Sequence, residues 1–366
     1  MSDRAYAAAG VDYAKIDPFK HDMAAMAHRT LAFPRRRKVR VDEDGMFSYR
    51  GKGSPRWKLQ IEGLGNKDWI AEAMYRRNPD PRYFAGIGVD TAMMAVYDLL
   101  RSGALPVIYA DEVAARTSDW FADEPRRSAI IKGFYQACQR CGMALVGGES
   151  PAYRFLIRST PPVEDAGVFS GAALGIIPPG RKAIRPRVRS GDIILGAPST
   201  GLHANGASRV IAESATLADG FFADIGGPQN YGEEALIPCA NYVPLVEALL
   251  DEGMSIHAIV PITGGGVAKL AAGHVPFTYR ITDWVKEYPR LFRFLLERGI
   301  SLFACLTTFN MGIGMCFILN EAAAEQALTC AKNISQPLHV LGYVEAGRAG
   351  VIFGPEGSLE LPPPGS

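Results

Sequence analysis

The 366-residue chain carries 39 Lys and Arg against 38 Asp and Glu, with 48% apolar and 21% charged residues. Near-neutral charge excludes a protein that holds nucleic acid through a global basic field, and the composition excludes disordered, collagen-like and coiled-coil chains. A chain this long exceeds one hydrophobic core, so two domains are expected. To about residue 55 the sequence is polar and irregular, and its basic run Arg35-Arg36-Arg37-Lys38 reads as solvated surface. A strand is expected over Lys58–Ile61, followed by Gly63 and Gly65. Ala92, Val96, Leu99 and Leu100 predict a helix over 91–101, with Asp90 as its cap and Gly103 as its stop. A strand over 107–110, a helix over 124–140 ended by Gly142, and a strand over 144–146 leading into Gly147-Gly148-Glu149 continue an α/β alternation.

The proline-rich, basic stretch 177–190 breaks every periodic pattern and marks a domain boundary. Beyond it a strand over 193–195 feeds the loop Gly196–Gly206 and a helix over 207–214. Further helices are expected over 242–251 and 291–298, and strands over 256–262 and 315–319. An Ala-rich helix capped by Asn320, two short strands near 339–344 and 351–353, and a disordered tail over 355–366 complete the pattern. The expected domains are therefore 1–176 and 190–354. Six cysteines are too few for a disulfide framework, and neither a signal peptide nor a membrane-spanning stretch is legible, so a cytoplasmic protein is expected. The lone C-x-x-C of Cys138 and Cys141 has no second pair at zinc spacing.

Three glycine-rich polar loops, 196–206, 262–266 and 308–315, each adjoin a short apolar run, which suggests one shared site. Glycine at a strand end lets successive backbone N–H groups face a phosphate, as Gly264, Gly265 and Gly266 are suited to do. The carboxylates Glu62, Asp90, Asp98, Asp111 and Glu149 fall near strand ends or on a helix, where they are suited to Mg²⁺ on a nucleotide; Asp90 as a mere cap and Asp98 as a solvated residue are the plain alternatives. Lys67 follows Gly63-Leu64-Gly65-Asn66 and is suited to offset phosphate charge, and His203 lies where a turn exposes its ring for proton transfer. The residues alone reach a two-domain α/β protein with a phosphate or nucleotide site, and no reaction.

Taken in order, these segments resemble the aminoimidazole ribonucleotide synthetase family, the phosphoribosylformylglycinamidine cyclo-ligases of purine biosynthesis. The resemblance runs from Tyr6-Ala7-Ala8-Ala9-Gly10-Val11-Asp12 through Gly86–Asp90, Ala110-Asp111, Gly147-Gly148-Glu149 and Ser199–Gly206 to Thr263–Gly266 and Thr308–Met315. It implies a two-domain α/β (α+β) fold, with an N-terminal sheet that pairs with its copy in a homodimer and a C-terminal layered domain. It also implies ATP and Mg²⁺ as cofactors, a phosphorylated ribonucleotide substrate, and no nucleic-acid or membrane partner. His203, Lys67 and Asn205 are the implied catalytic residues. Gly63, Gly65, Lys67, Asp90, Asp111, Gly147, Gly148, Glu149 and Gly264–Gly266 are the implied nucleotide-binding set, with Asp90, Asp111 and Glu149 on the metal. The chain departs from the family at Glu62, Asn66, Tyr97, Val168, Ala240 and Pro261. Those departures keep two further readings open: a paralogue that phosphorylates another small molecule, and a non-catalytic dimeric binding protein.

Overall fold

The computed structural model describes residues 4–273 and 275–365; the ends of the expected 1–176 and 355–366 segments lie partly outside this range. Strands Arg56–Gly63, Val168–Ile177, Leu105–Ala114 and Ala144–Glu149 form a four-stranded sheet in that order, the last pair parallel and the others antiparallel. One face of this sheet is buried by helices Ile87–Leu100 and Glu124–Cys141. All of helix Ile87–Leu100 except Asp98 is buried, which its nearly unbroken apolar sequence dictates. The other face leaves Trp57, Leu59 and Ile61 exposed at 38%, 68% and 69%. Strand alternation places Lys58, Gln60 and Glu62 on the opposite side of the same strand.

The second half forms a seven-stranded sheet, ordered Leu359–Leu361, Gly350–Phe353, Phe277–Ile281, His339–Ala346, Ile193–Pro198, Ile313–Leu319 and Ile256–Pro261. Its strand Ile313–Leu319, paired on both sides by Ile193–Pro198 and Ile256–Pro261, is buried at every residue, as its continuous apolar run requires. Three termini follow their sequence signals. Helix Glu124–Cys141 ends at Gly142 in the left-handed conformation, helix Ala207–Ser214 follows Gly206, and the Asn320 side chain accepts the N–H of Ala323.

Four expectations are corrected. The irregular N-terminal stretch contains helix Tyr13–Thr30, capped by Asp12 and buried along Ile16, Phe19, Met23 and Met26. Asp90 does not cap its helix, which starts at Ile87 with Gly86 as the cap. In the basic run Arg37 is buried: its guanidinium reaches the carbonyls of Pro106 and Cys141 at 2.6 Å each and pairs with Glu247 at 2.8 Å. The tail is ordered through strand Leu359–Leu361, whose Leu361 is buried, and Pro364 packs on Gly265.

Candidate functional site at the domain junction

The turn Gly63–Asn66 ends at helix Lys67–Arg77, whose first residue is turned into the second domain. Lys67 Nζ is fully buried, lies 2.6 Å from Asp90 Oδ2, and donates to the carbonyl oxygens of His203 at 2.6 Å and Ile237 at 2.9 Å. The three acceptors exhaust an ammonium's donors. Asp90 Oδ1 in turn accepts the Cys239 N–H at 2.6 Å, and burial pushes the Asp90 carboxyl up while Lys67 opposes the shift. Lys67 and Asp90, read from the sequence as phosphate and metal groups, are here a staple between the two domains.

The three glycine loops do converge. The Ser199 hydroxyl lies 2.8 Å from Asn310 Oδ1, and Asn310 Nδ2 donates to the carbonyls of Gly201 and Leu202. A Cβ on Gly206 would sit 2.4 Å from the Phe309 ring, and one on Gly266 2.8 Å from the Phe309 carbonyl oxygen. His203 occupies the packed part of this junction at 2% exposure, between the rings of Tyr97 and Tyr242 at 5.8 and 6.2 Å. Its Nε2 accepts from the amides of Thr200 and Ala240, and burial, aided by Lys67, pushes its pKa down to about 3. The turn that was expected to expose this ring buries it as a neutral imidazole. Asn205 is half-buried, with Oδ1 3.9 Å from where a Cβ on Gly264 would lie and Nδ2 3.7 Å from Met94 Sδ. Pro364 shields Gly265, approaching a Cβ position there to 2.9 Å.

Beside Asn205's partner helix the charged groups gather. Glu62, at the end of strand Arg56–Gly63, faces Asp98 of helix Ile87–Leu100, and burial together with that carboxylate pushes Glu62 up. Gln60 donates to Glu62 at 3.2 Å, the Lys58 ammonium donates to the Asp98 carbonyl, and Arg101 lies 3.9 Å from the Asp98 carboxylate. Lys269 donates to the hydroxyl of Thr263; burial pushes its ammonium down, opposed by Asp98 and Glu62. Sequence reasoning placed Glu62 and Asp98 among the acidic residues and missed Lys269. The available signal was its position in the turn directly after the triple glycine.

A second group forms at the far edge of the same sheet. Register aligns Glu62 with Gly171, Gly171 with Asp111, and Asp111 with Gly148, so one row crosses all four strands. Asp111 therefore stands two strands, roughly 10 Å, from Glu62. It is 5% exposed, its two carboxylate oxygens have no partner, and burial pushes its pKa up to about 7. Glu149 is exposed and lies 3.8 Å from the Lys20 ammonium. Asp111, Gly147, Gly148 and Glu149 thus come together, Gly63, Gly65 and Glu62 lie at the opposite edge, and Asp90 joins neither group. Among the described residues no three His, Cys, Asp or Glu side chains converge on one metal position. Glu62 and Asp98 nonetheless fit Mg²⁺: they are hard oxygen donors that face each other, only partly offset by Arg101 and Lys269, and such a cation completes its shell with phosphate and water. Cys138 and Cys141 are buried thiols on one helix. No described helix is long and apolar enough to cross a membrane.

Residues 71–177 match the N-terminal domain of AIR synthase related proteins, and residues 189–354 match their C-terminal domain. The phosphoribosylformylglycinamidine cyclo-ligase of Thermosynechococcus vestitus is 31% identical over 95% of this chain and 98% of its own length. That of Carboxydothermus hydrogenoformans is 30% identical over 83% of this chain and 84% of its own. Among solved structures, the thiamine-monophosphate kinase of Stenotrophomonas maltophilia superposes with a TM-score of 0.59 at 18% identity, covering 88% of this chain and 94% of that one. The hydrogenase maturation protein HypE of E. coli gives a TM-score of 0.60 at 18% identity over 93% of this chain and 96% of its own. These two share the fold. With its sequence matched end to end and its glycine loops gathered at one domain junction, the chain belongs to the phosphoribosylformylglycinamidine cyclo-ligase family.

Proposed function

We propose that this protein is an ATP- and Mg²⁺-dependent cyclo-ligase of purine biosynthesis that acts in the cytoplasm on formylglycinamidine ribonucleotide. The amide oxygen attacks the γ-phosphorus of ATP and the bond to ADP breaks. The internal amine then closes onto the activated carbon, expelling phosphate and giving up one proton as the imidazole forms. The carbonyl carbon needs that activation, because an amide oxygen is a poor leaving group and phosphate a good one.

The observation that carries this reading is the Glu62–Asp98 carboxylate pair at the domain junction, with Lys269 and the Asn205–Gly264 contact beside it. Mg²⁺ would be held by Glu62 and Asp98 and would offset phosphate charge there. Lys269 supplies a fixed cation for the phosphoryl group in transfer, and Asn205 with the Gly264 backbone orients the reacting amide. Gly63 and Gly65 let the strand end approach the phosphates. Asp111, Gly147, Gly148 and Glu149 serve the far end of the nucleotide. Lys67, Asp90 and His203 act on the reaction by positioning, since they hold the loop that carries Asn205. Purified protein with ATP, Mg²⁺ and formylglycinamidine ribonucleotide should release ADP and phosphate in equal amounts. ADP formation no faster than without that substrate would refute the reading.

One observation favours a second reading, a paralogue with another small-molecule substrate. Two positions at which the chain departs from its family touch each other: the Tyr97 hydroxyl donates to the Ala240 carbonyl at 2.5 Å, closing an aromatic contact with His203 and Tyr242. ATP binding without any response to the purine substrate would select this reading.

The exposed apolar row Trp57, Leu59 and Ile61, continued by Val168 at 50% exposure, supports pairing of this sheet with that of a second copy. Light scattering at micromolar concentration should give twice the 39.5 kDa chain mass, and Leu59→Glu should give the single-chain mass. A wild-type protein that scatters as one chain would refute the pairing.

A further inference from the structure

A second cavity at the domain junction, of about 490 Å³, is lined by neither Glu62, Asp98 nor Lys269. Arg140, at the end of helix Glu124–Cys141, supplies its wall from the first domain, and the segments 237–242 and 335–337 supply much of the wall from the second. Ala197, Pro198, Ile237, Pro238 and Leu245 make the lining mostly apolar. The volume falls within the roughly 300–1,000 Å³ of small-molecule sites. Two polar groups here lack partners. Gln336 Oε1 is buried without a hydrogen bond, while Nε2 of the same amide donates to the Asn241 carbonyl at 3.3 Å. The exposed Arg140 side chain makes no ion pair or hydrogen bond among the described residues. Buried polar groups are nearly always satisfied, so an orphaned amide oxygen and an unpaired cation beside an apolar hollow point to a missing occupant. Ala240, at which the chain departs from its family, lies in this wall, and Tyr97, another departure, is bonded to its carbonyl. The cavity is thus built in part from what sets this chain apart.

The placement of the two groups sets the chemistry of the occupant. Asn241 Nδ2 donates to the Arg140 carbonyl at 3.1 Å, and the Asn241 carbonyl accepts from Gln336. Arg140 and Gln336 therefore flank one residue, so the occupant needs an anion and a hydrogen-bond donor on neighbouring atoms, with an apolar body beyond them. One guanidinium balances one negative charge, which a carboxylate carries and a phosphate exceeds. We propose that this cavity is a ligand site for an aromatic α-amino acid: the carboxylate pairs with Arg140, the ammonium donates to Gln336 Oε1, and the ring lies against Ala197, Pro198 and Leu245. The site stands independently of the nucleotide reading given above. Amides of its wall also hold the junction together, since Thr200 and Ala240 donate to His203 and Cys239 donates to Asp90. An occupant that touches both domains here clamps them, and its binding adds to the stability of the folded chain.

The test is calorimetric titration of the full-length protein, free of nucleotide, with L-phenylalanine and L-tryptophan. At least one should bind and raise the melting temperature. The tighter of the two is then compared with its carboxylate-only and amine-only analogues, 3-phenylpropionate and phenethylamine or indole-3-propionate and tryptamine. Each analogue should bind at least tenfold more weakly, because each loses one charged hydrogen bond. Arg140→Gln should weaken the amino acid at least tenfold and leave the amine-only analogue within twofold. Gln336→Leu should weaken the amino acid as much and leave the carboxylate-only analogue within twofold. Arg140 is exposed and Gln336 half-buried, so without ligand both variants should melt with the wild type. A wild type that binds neither amino acid, analogues that bind as tightly as the amino acid, or variants that bind it like the wild type would each overturn the site, whatever the protein does with ATP.

Discussion

Lys67→Met is expected to lower the unfolding free energy by about 3–5 kcal/mol, the usual cost of removing one partner from a buried ion pair. The substitution leaves Asp90 charged in the interior and strips the His203 and Ile237 carbonyls of their donor. Those carbonyls belong to the second domain, so the loss falls on the junction and not on one domain alone. The double variant Lys67→Met/Asp90→Leu should recover a large part of the loss, because two apolar groups of similar size replace a buried pair at little net cost. Urea unfolding of the three proteins in Mg²⁺-free buffer decides the matter. A Lys67→Met protein of undiminished stability that no longer binds nucleotide would return Lys67 to the phosphate.

Glu62→Gln and Asp98→Asn should each reduce ADP formation about 100-fold or more, since even outer-shell partners of a metal are worth 10–100-fold. Their stability should move the other way. Two facing carboxylates with no divalent cation between them repel, Arg101 and Lys269 offset only part of this, and burial already pushes Glu62 up. Neutralising either one relieves that repulsion, so both variants should melt at or above the wild-type temperature in Mg²⁺-free buffer. Sites shaped for a ligand commonly carry such a stability penalty. Steady-state ADP release and thermal melting on the same preparations give both readouts, and full activity in both variants would remove the pair from the reaction.

Local signals were strong enough to read where they act within a few residues. Gly142 after a helix and Asn320 before one each close a terminus through contacts close in sequence, and both are found as expected. Helix Tyr13–Thr30 was hidden because Pro18 and the interspersed Asp, His and Arg residues mask a buried stripe that nevertheless recurs at Ile16, Phe19, Met23 and Met26. The convergence of the three glycine loops was legible from their shared texture. The roles of Lys67 and Arg37 were not, because a cation suited to phosphate and a cation suited to buried carbonyls have the same spelling. Only partners 136 and 210 positions away, His203 and Glu247, distinguish them. Likewise nothing local separates an exposed histidine in a turn from one that the turn folds inward between Tyr97 and Tyr242.

Strand Arg56–Gly63 carries Trp57, Leu59 and Ile61 on one face and Lys58, Gln60 and Glu62 on the other. A slip of one residue exchanges the two faces. Insertions or deletions of a single codon in this strand would send the apolar row inward and withdraw Glu62 from Asp98 at one stroke, whereas changes of two codons would preserve the alternation. The gene should therefore tolerate length variation here only in even steps, and the surface for a second copy and the carboxylate of the site are bound to be inherited together.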